Sequence, residues 1–309
     1  MWRGRDCSRG AIRRSTVADH AGLLSPAMSA RLWLFLPTYN EAENLEGIVR
    51  AVGAELDRIA PADWRVLVVD DESPDGTGAL ADRLAAEHER VEVLHRPGKE
   101  GLGKAYLAGF ARALEGGAEL VVVMDADFSH DPAHLPALIG AAEGADLVLG
   151  SRYVHGGTIA DWPPLRRTLS RFGSAYARTI LGVKTRDLTS GFRCVRREVL
   201  EAVEPSTLRA QGYVFNIELT YRALLAGFRV TEIPICFRDR TAGDSKMSLP
   251  IAIEALMLVP KLRRLRRPRR ASQGWQVPRW PSRREPLGSP GTESAGESEA
   301  EPVQAPTRS

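Results

Sequence analysis

The chain has 309 residues, 43% of them hydrophobic, and a formal net charge of +3. That content can bury a full core in one large or two ordinary domains, which excludes a wholly disordered or fibrous polypeptide. The charge is segregated, with basic residues in the first thirty positions and from Lys261 to Arg270 and with Glu293, Glu297, Glu299 and Glu301 near the end, so the global balance says little about partners.

Residues 1–30 are Arg-rich and lack the apolar stretch of a secretory signal. They are expected to form a disordered basic extension, with Met28 an alternative start. From Arg31 the apolar runs "RLWLFLP", "WRVLVVDD", "VEVLHR", "ELVVVMD" and "DLVLGS" alternate with amphipathic helical stretches. Such alternation predicts an α/β fold, a mainly parallel sheet with helices on both faces. The first helix is expected over "EAENLEGIVRAVGAELDRI", where Leu45, Ile48, Val49, Val52, Leu56 and Ile59 recur at helical spacing and Asn40 is the natural cap.

Beyond Ser151 the pattern predicts helices around Arg166 to Leu181 and Tyr213 to Ala226, a helix-prone segment from Val195, and a strand in "FRVTEIPICFRD". The longest apolar run, "LPIAIEALMLVP", falls short of the roughly 18 residues that cross a bilayer. It contains Glu254, and Pro250 and Pro260 should shorten any helix there. With the basic residues that follow, residues 248–270 read as an amphipathic membrane-interface segment. Residues 271–309, rich in Pro, Ser, Gly and Glu, are expected to be disordered, which leaves 31–247 as a single catalytic domain.

In open α/β sheets, ligands bind beyond the carboxyl ends of the strands. There the sequence has "PTYNE" from Pro37, "DDESPDGT" from Asp70, "DAD" from Asp125 and "GSRY" from Gly150. Two carboxylates one residue apart repel unless one is protonated or a cation lies between them. Hard oxygen ligands select Mg²⁺ or Mn²⁺ with substrate phosphates completing the shell, so Asp125 and Asp127 are candidate metal ligands; the alternative is a pair of turn carboxylates capping the helix after "HDP". "GKEGLGKA" lacks the Ser or Thr of a phosphate-binding loop, since Ala105 stands there. Pro132 between His130 and His134 argues against a helical zinc pair. "KLRRLRRPRR" has no base-stacking aromatics beside it, so no nucleic acid is expected as a partner.

The ordered set "LPTYNEAENL", "VVDDESPDGT", "GLGKAYLAGF", "MDADFSHDP", "LGSRYVHGG", "TSGFRCVRREVLE", "QGYVFNIELTYRA" and "IPICFRDRTAGDSKM" closely resembles the polyprenyl (dolichyl) phosphate mannosyltransferases, inverting family-two glycosyltransferases of the GT-A fold. The resemblance implies transfer of mannose from GDP-mannose to polyprenyl phosphate with Mg²⁺ or Mn²⁺, at the cytoplasmic face of a membrane. It implies that Pro37, Tyr39, Glu41, Val69 and Asp71 form the nucleoside pocket and that Asp125, Ala126 and Asp127 form the donor and metal site. It also implies that Arg152, Arg240 and Lys246 bind phosphate, and that Arg152, Arg166 and Ser170 contact the acceptor phosphate. Asp161 and Asp187 are candidate general bases, although a phosphate acceptor, already anionic, needs none. Some members of the family carry a C-terminal bundle of membrane helices, which this sequence lacks, so a separate membrane partner or an interfacial anchor is expected. The rival readings are a UDP-glucose-dependent polyprenyl phosphate glucosyltransferase and a non-catalytic subunit that recruits a membrane partner.

Overall fold

The computed structural model describes residues 30–59, 63–208, 212–239 and 249–265, without the side chains of Tyr213 and of residues 249–255. Arg240, Lys246 and both expected disordered termini lie outside the described residues.

Strands β1 (Leu32–Thr38), β2 (Trp64–Asp70), β3 (Val91–His95), β4 (Leu120–Val123) and β5 (Leu147–Ser151) fall where the apolar runs predict them. Between them lie α1 (Ala42–Ile59), α2 (Thr77–Glu87), α3 (Leu102–Glu115) and α4 (Leu135–Ala141). The short β6 (Thr158–Ile159) precedes α5 (Pro164–Leu181). Next come β7 (Arg193–Arg196), α6 (Arg197–Val203), α7 (Gly212–Ala226), β8 (Val230–Pro234), β9 (Cys236–Phe237) and α8 (Leu249–Leu262).

The main sheet runs β3-β2-β1-β4-β7-β5-β8 and is parallel except for β7. Side chains alternate across it as the pleat requires. Leu32, Leu34, Leu36, Val66 and Val68 join the core under α1, α2 and α4, whereas Trp33, Phe35, Leu67 and Val69 join the core under α3, α6 and α7. A side chain at Gly109 would meet the Phe35 ring at 2.8 Å, so α3 needs glycine there to lie this close to the sheet.

Three local expectations are corrected. β7 occupies part of the segment read as helix-prone from Val195: Arg193–Arg196 is completely buried between β4 and β5, and pairing on both edges overrides its helical tendency. The helix α6 begins only at Arg197. The expected single strand "FRVTEIPICFRD" is two, because β8 extends the main sheet while β9 pairs with β6. Finally, α8 continues through Pro260, which has no N–H to offer the carbonyl of Leu256. The Tyr176 hydroxyl donates to that carbonyl instead, at 3.0 Å. A third core under α5, α7 and α8 contains Ala177, Leu181, Ile217, Tyr221, Val259 and Leu262. No helix among the described residues is long and apolar enough to cross a membrane.

Candidate active site

The sheet order makes the carboxyl ends of β2, β1 and β4 neighbours, and antiparallel β7 brings the chain entering it, Ser190 to Phe192, to the same edge. Pro37 lies in register with Val69, and Thr38 with Asp70. The expected nucleoside residues are therefore together at one sheet edge, with Tyr39, Glu41 and Asp71 just beyond it.

The loop after β2 is braced from within. Asp70 accepts from the Ser73 amide and hydroxyl at 3.2 and 2.5 Å, and Asp75 accepts from the Thr77 amide and hydroxyl at 3.0 and 2.6 Å. Asp75 also accepts from the Ala42 amide at 3.0 Å, so this carboxylate caps α1 from another loop. Asn40 does not provide the expected cap: it has a φ of 57° and donates its amide to the Ser73 hydroxyl at 3.1 Å. Burial would raise the Asp75 pKa, but the Thr77 hydroxyl and the amides of Ala42 and Thr77 outweigh it and hold the carboxyl below its ordinary value. The buried Glu41 accepts from the Asn44 side chain at 3.1 Å. Lys99 lies over the Tyr39 ring, 3.8 Å from its centre.

Asp71 pairs with Arg96, both buried, and Arg96 also donates to Glu100 at 2.9 Å. Burial pushes the Asp71 carboxyl above its ordinary pKa, with Arg96 opposing that shift. Its amide donates to the Thr38 carbonyl at 3.1 Å, which ties the β1 and β2 exits together.

Asp125 is partly exposed and Asp127 buried. One Asp127 oxygen accepts from the Ser129 amide at 3.0 Å, while the Asp125 amide donates to Nδ1 of His130 at 3.1 Å. Burial holds the His130 pKa below its ordinary value, so the ring is neutral; it stacks on Phe192 and braces the loop. His134 likewise accepts the Cys236 amide at 3.0 Å. A side chain on Gly191 would approach the Tyr106 hydroxyl at 3.0 Å and Asp125 Oδ1 at 3.7 Å. Glycine thus keeps space open beside the carboxylate. Among the described residues no group of three or more His, Cys, Asp or Glu could hold a metal ion. Two hard carboxylates beside open space fit a small divalent cation whose other ligands are substrate oxygens.

Arg152 follows β5 and forks onto the completely buried Asp187, Nε at 2.8 Å and one Nη at 2.7 Å, with a further bond to the Thr189 hydroxyl at 2.7 Å. Burial would raise the Asp187 pKa, but Arg152 and the Thr189 hydroxyl hold it below the ordinary value. A carboxylate so paired is a poor proton acceptor, and it orients Arg152 instead. Asp161 is exposed, with a φ of 62°. Arg166 donates to both oxygens of Asp239 at 3.0 and 3.2 Å and lies over Trp162, whereas Arg167 donates to the Ile159 carbonyl. Ser170 accepts from the Tyr153 hydroxyl at 2.6 Å, and burial raises the pKa of that phenol, which keeps it a donor.

Sequence reasoning assigned no role to Arg96, Gly191 or Arg193. Arg193 is completely buried, donates to the Ser190 carbonyl, and has its pKa lowered to about 10 by burial. It fixes the turn that carries Gly191 past Asp125. The motif containing "TSGFR" was visible, but nothing in one sequence marks an arginine as buried.

Residues 33–204 match the model for glycosyl transferase family 2. A polyprenol monophosphomannose synthase from Mycolicibacterium smegmatis is 50% identical over 231 residues, covering 74% of this chain and 85% of that protein. An undecaprenyl-phosphate mannosyltransferase from Micrococcus luteus is 46% identical over 231 residues, covering 75% and 93%. Among solved structures, glucosyl-3-phosphoglycerate synthase from Mycobacterium tuberculosis in complex with Mn²⁺, uridine diphosphate and phosphoglyceric acid aligns with a TM-score of 0.58 at 19% identity, over 78% of this chain and 82% of that one. That likeness carries the fold.

Proposed function

The chain belongs to glycosyl transferase family 2, and from that premise we propose that it transfers mannose from GDP-mannose to a polyprenyl phosphate with inversion, giving polyprenyl β-mannosyl phosphate and GDP. The observation that carries this reading is near-half identity, over 231 residues, to relatives named for mannosyl transfer to polyprenyl phosphates. The acids Asp125 and Asp127 at the sheet edge argue against a silent subunit.

Asp125 and Asp127 would hold Mg²⁺ or Mn²⁺, which when bound neutralises charge developing on the departing diphosphate. The remaining work belongs to the chain. Pro37, Tyr39, Glu41, Val69 and Asp71 line the nucleoside end, and the Asp71–Arg96 pair keeps that end rigid. Arg152, oriented by Asp187, would meet phosphate oxygens, joined by Arg240 and Lys246 from outside the described residues. Arg166 and Ser170 would receive the acceptor phosphate, whose own anionic oxygen attacks the anomeric carbon. Asp187 is then a positioning residue rather than a base, and catalysis rests on orientation and charge stabilisation. The acceptor is expected at the cytoplasmic membrane surface, reached through an interfacial anchor or a separate membrane partner.

The test supplies purified protein with Mg²⁺ or Mn²⁺, a short polyprenyl phosphate and radiolabelled donors. Mannose from GDP-mannose should enter the organic-extractable product much faster than glucose from UDP-glucose. A reversed preference would overturn the mannosyl assignment and leave the fold standing.

A further inference from the structure

Strand β8 carries a residue that strand conformation does not favour. Glutamate is a poor strand former, yet Glu232 stands in register with Leu149 of β5. Ile233 packs against the core under α1, α2 and α4 and Val230 against the core under α3, α6 and α7, so the pleat puts Glu232 on the face of Val230. One of its carboxylate oxygens accepts the Arg186 amide at 2.7 Å and the other accepts the Asp187 amide at 2.8 Å. Two successive amides that point the same way call for an anion, and a carboxylate binds them about twice as strongly as a neutral acceptor would.

This clamp holds the backbone on which Arg152 depends. Asp187 accepts from the Arg152 amide at 3.0 Å as well as from the guanidinium. Arg152 directly follows β5, and β8 is the strand paired with β5, so the sheet anchors both ends of a closed circuit of bonds. It runs from β8 through Glu232 to the 186–187 segment, and from Asp187 through Arg152 back to β5. A buried carboxylate aims a guanidinium only as accurately as its own backbone is placed.

Glu232 is half-buried and lines a hollow of about 560 Å³ together with Val183, Lys184, Thr185, Leu224 and Val230. Its bond to the Arg186 amide is exposed, so water can take over that bond when the carboxylate is removed, and the fold does not depend on it. Water supplies neither charge nor a fixed direction, and the placement of the segment does depend on those.

We propose that Glu232 is a positioning residue for the transfer reaction, a role that rests on Arg152 being the phosphate ligand proposed above. Glu232 fixes the 186–187 segment, Asp187 transmits that placement, and the Arg152 guanidinium is thereby aimed at substrate phosphate.

Glu232→Gln keeps one acceptor and sets an NH2 group against the other amide. Glu232→Asp keeps the charge but falls one methylene short of the segment. In full-length protein labelled with ¹⁵N at arginine Nε, the Arg152 Nε–H, identified by its loss in Arg152→Lys, reports the fork with Asp187 without any substrate. Its resonance should shift and its exchange with water quicken in Glu232→Gln, and to a lesser degree in Glu232→Asp. With Mg²⁺ or Mn²⁺, GDP-mannose and a short polyprenyl phosphate, kcat of Glu232→Gln should fall about 10–100-fold, as for an ångström-scale misplacement, while the KM for GDP-mannose changes by less than about threefold. Thr231→Ala, one residue away on the same hollow, should change neither reading. Should the Gln variant not fold, the Asp variant carries both measurements. An Arg152 resonance unmoved in both Glu232 variants would overturn the proposal, as would turnover lost only in proportion to the unfolded fraction. If Arg152→Lys collapses turnover and Glu232→Gln does not, Glu232 fails as a positioning residue while Arg152 keeps its role; if neither slows the enzyme, both roles fall. Absence of mannosyl transfer by the wild type would count against the mannosyl reading alone, since the resonance still decides whether Glu232 aims Arg152.

Discussion

At the exits of β2 and β4, the strand-exit side, Asp70, Asp75 and Asp127 are fixed by amides and hydroxyls two or three residues away, whereas toward α5, the helical side, Arg152 just after β5 and Arg166 of α5 are fixed by carboxylates 35 and 73 positions along the chain. A loop that satisfies its own carboxylates holds its shape locally, at the cost of backbone strain. Asn40, Glu72 and Phe128, non-glycine residues with φ of 57°, 55° and 59°, all lie just beyond β1, β2 and β4. On the helical side the charges depend on one another across the fold. Removing one partner there should therefore disturb stability and function together, while on the strand-exit side function should fail alone.

The largest effect is expected at Asp127. Asp127→Asn keeps an oxygen for the Ser129 amide, so the melting temperature should hold, but it loses the charge that would retain a divalent ion. Turnover should fall by at least about 10²–10³-fold, in line with loss of one preorganised stabilising group and more where a metal is lost with it. Turnover within about threefold of wild type would remove the metal reading of the two aspartates. A collapse of the melting temperature would break the contrast between the two sides.

Next is Asp187. Asp187→Asn leaves the nearly buried Arg152 guanidinium without a counter-charge, a change that typically costs about 3 kcal/mol or more. A drop in melting temperature of roughly 6–12 °C and reduced turnover should appear together. The pH dependence has a definite sign. The carboxyl of the folded protein lies below its ordinary value of 3.8, so its contribution is fully present above that value and is lost as pH falls through the depressed one. The Asn variant should lack that part of the acid limb in a melting series. A normal melting temperature in Asp187→Asn would show that the helical side does not depend on its distant pair.

The same contrast decides what the sequence could reveal. β1 to β5 were legible because each is a short, largely apolar run, and the acids after β1, β2 and β4 were legible because the strand exits of such a sheet converge on one edge. β7 was not, because "RCVR" owes its strand conformation to pairing with β4 and β5, and its two arginines hide its burial. Nor was the Arg152–Asp187 fork, since 35 residues separate the partners. Asp187 looked like a possible base for that reason; only its burial against Arg152 makes it an orienting group. The exposure of Leu165, Leu169 and Phe172 on α5 was hidden for the opposite reason: they have helical spacing, and that spacing ordinarily marks the face turned inward.

The smallest expected effect tests the joint between α5 and α8. Pro260 deprives the Leu256 carbonyl of its helical donor, and the Tyr176 hydroxyl replaces it at 3.0 Å. Both groups are exposed enough for water to substitute, so Tyr176→Phe should cost only about 0.5–1 kcal/mol, the usual net value of such a bond. Pro260→Ala restores an N–H to the helix and with it a donor for the same carbonyl. The hydroxyl is then redundant, and Tyr176→Phe in the Pro260→Ala background should change unfolding free energy by close to nothing. A double-mutant cycle by denaturant unfolding reads the difference directly as a coupling of about 0.5–1 kcal/mol. Additive effects would mean that Tyr176 does not compensate for the proline. α5 and α8 would then be joined through apolar packing alone, with Val259 and Leu262 against Ala177 and Leu181 holding the two helices together.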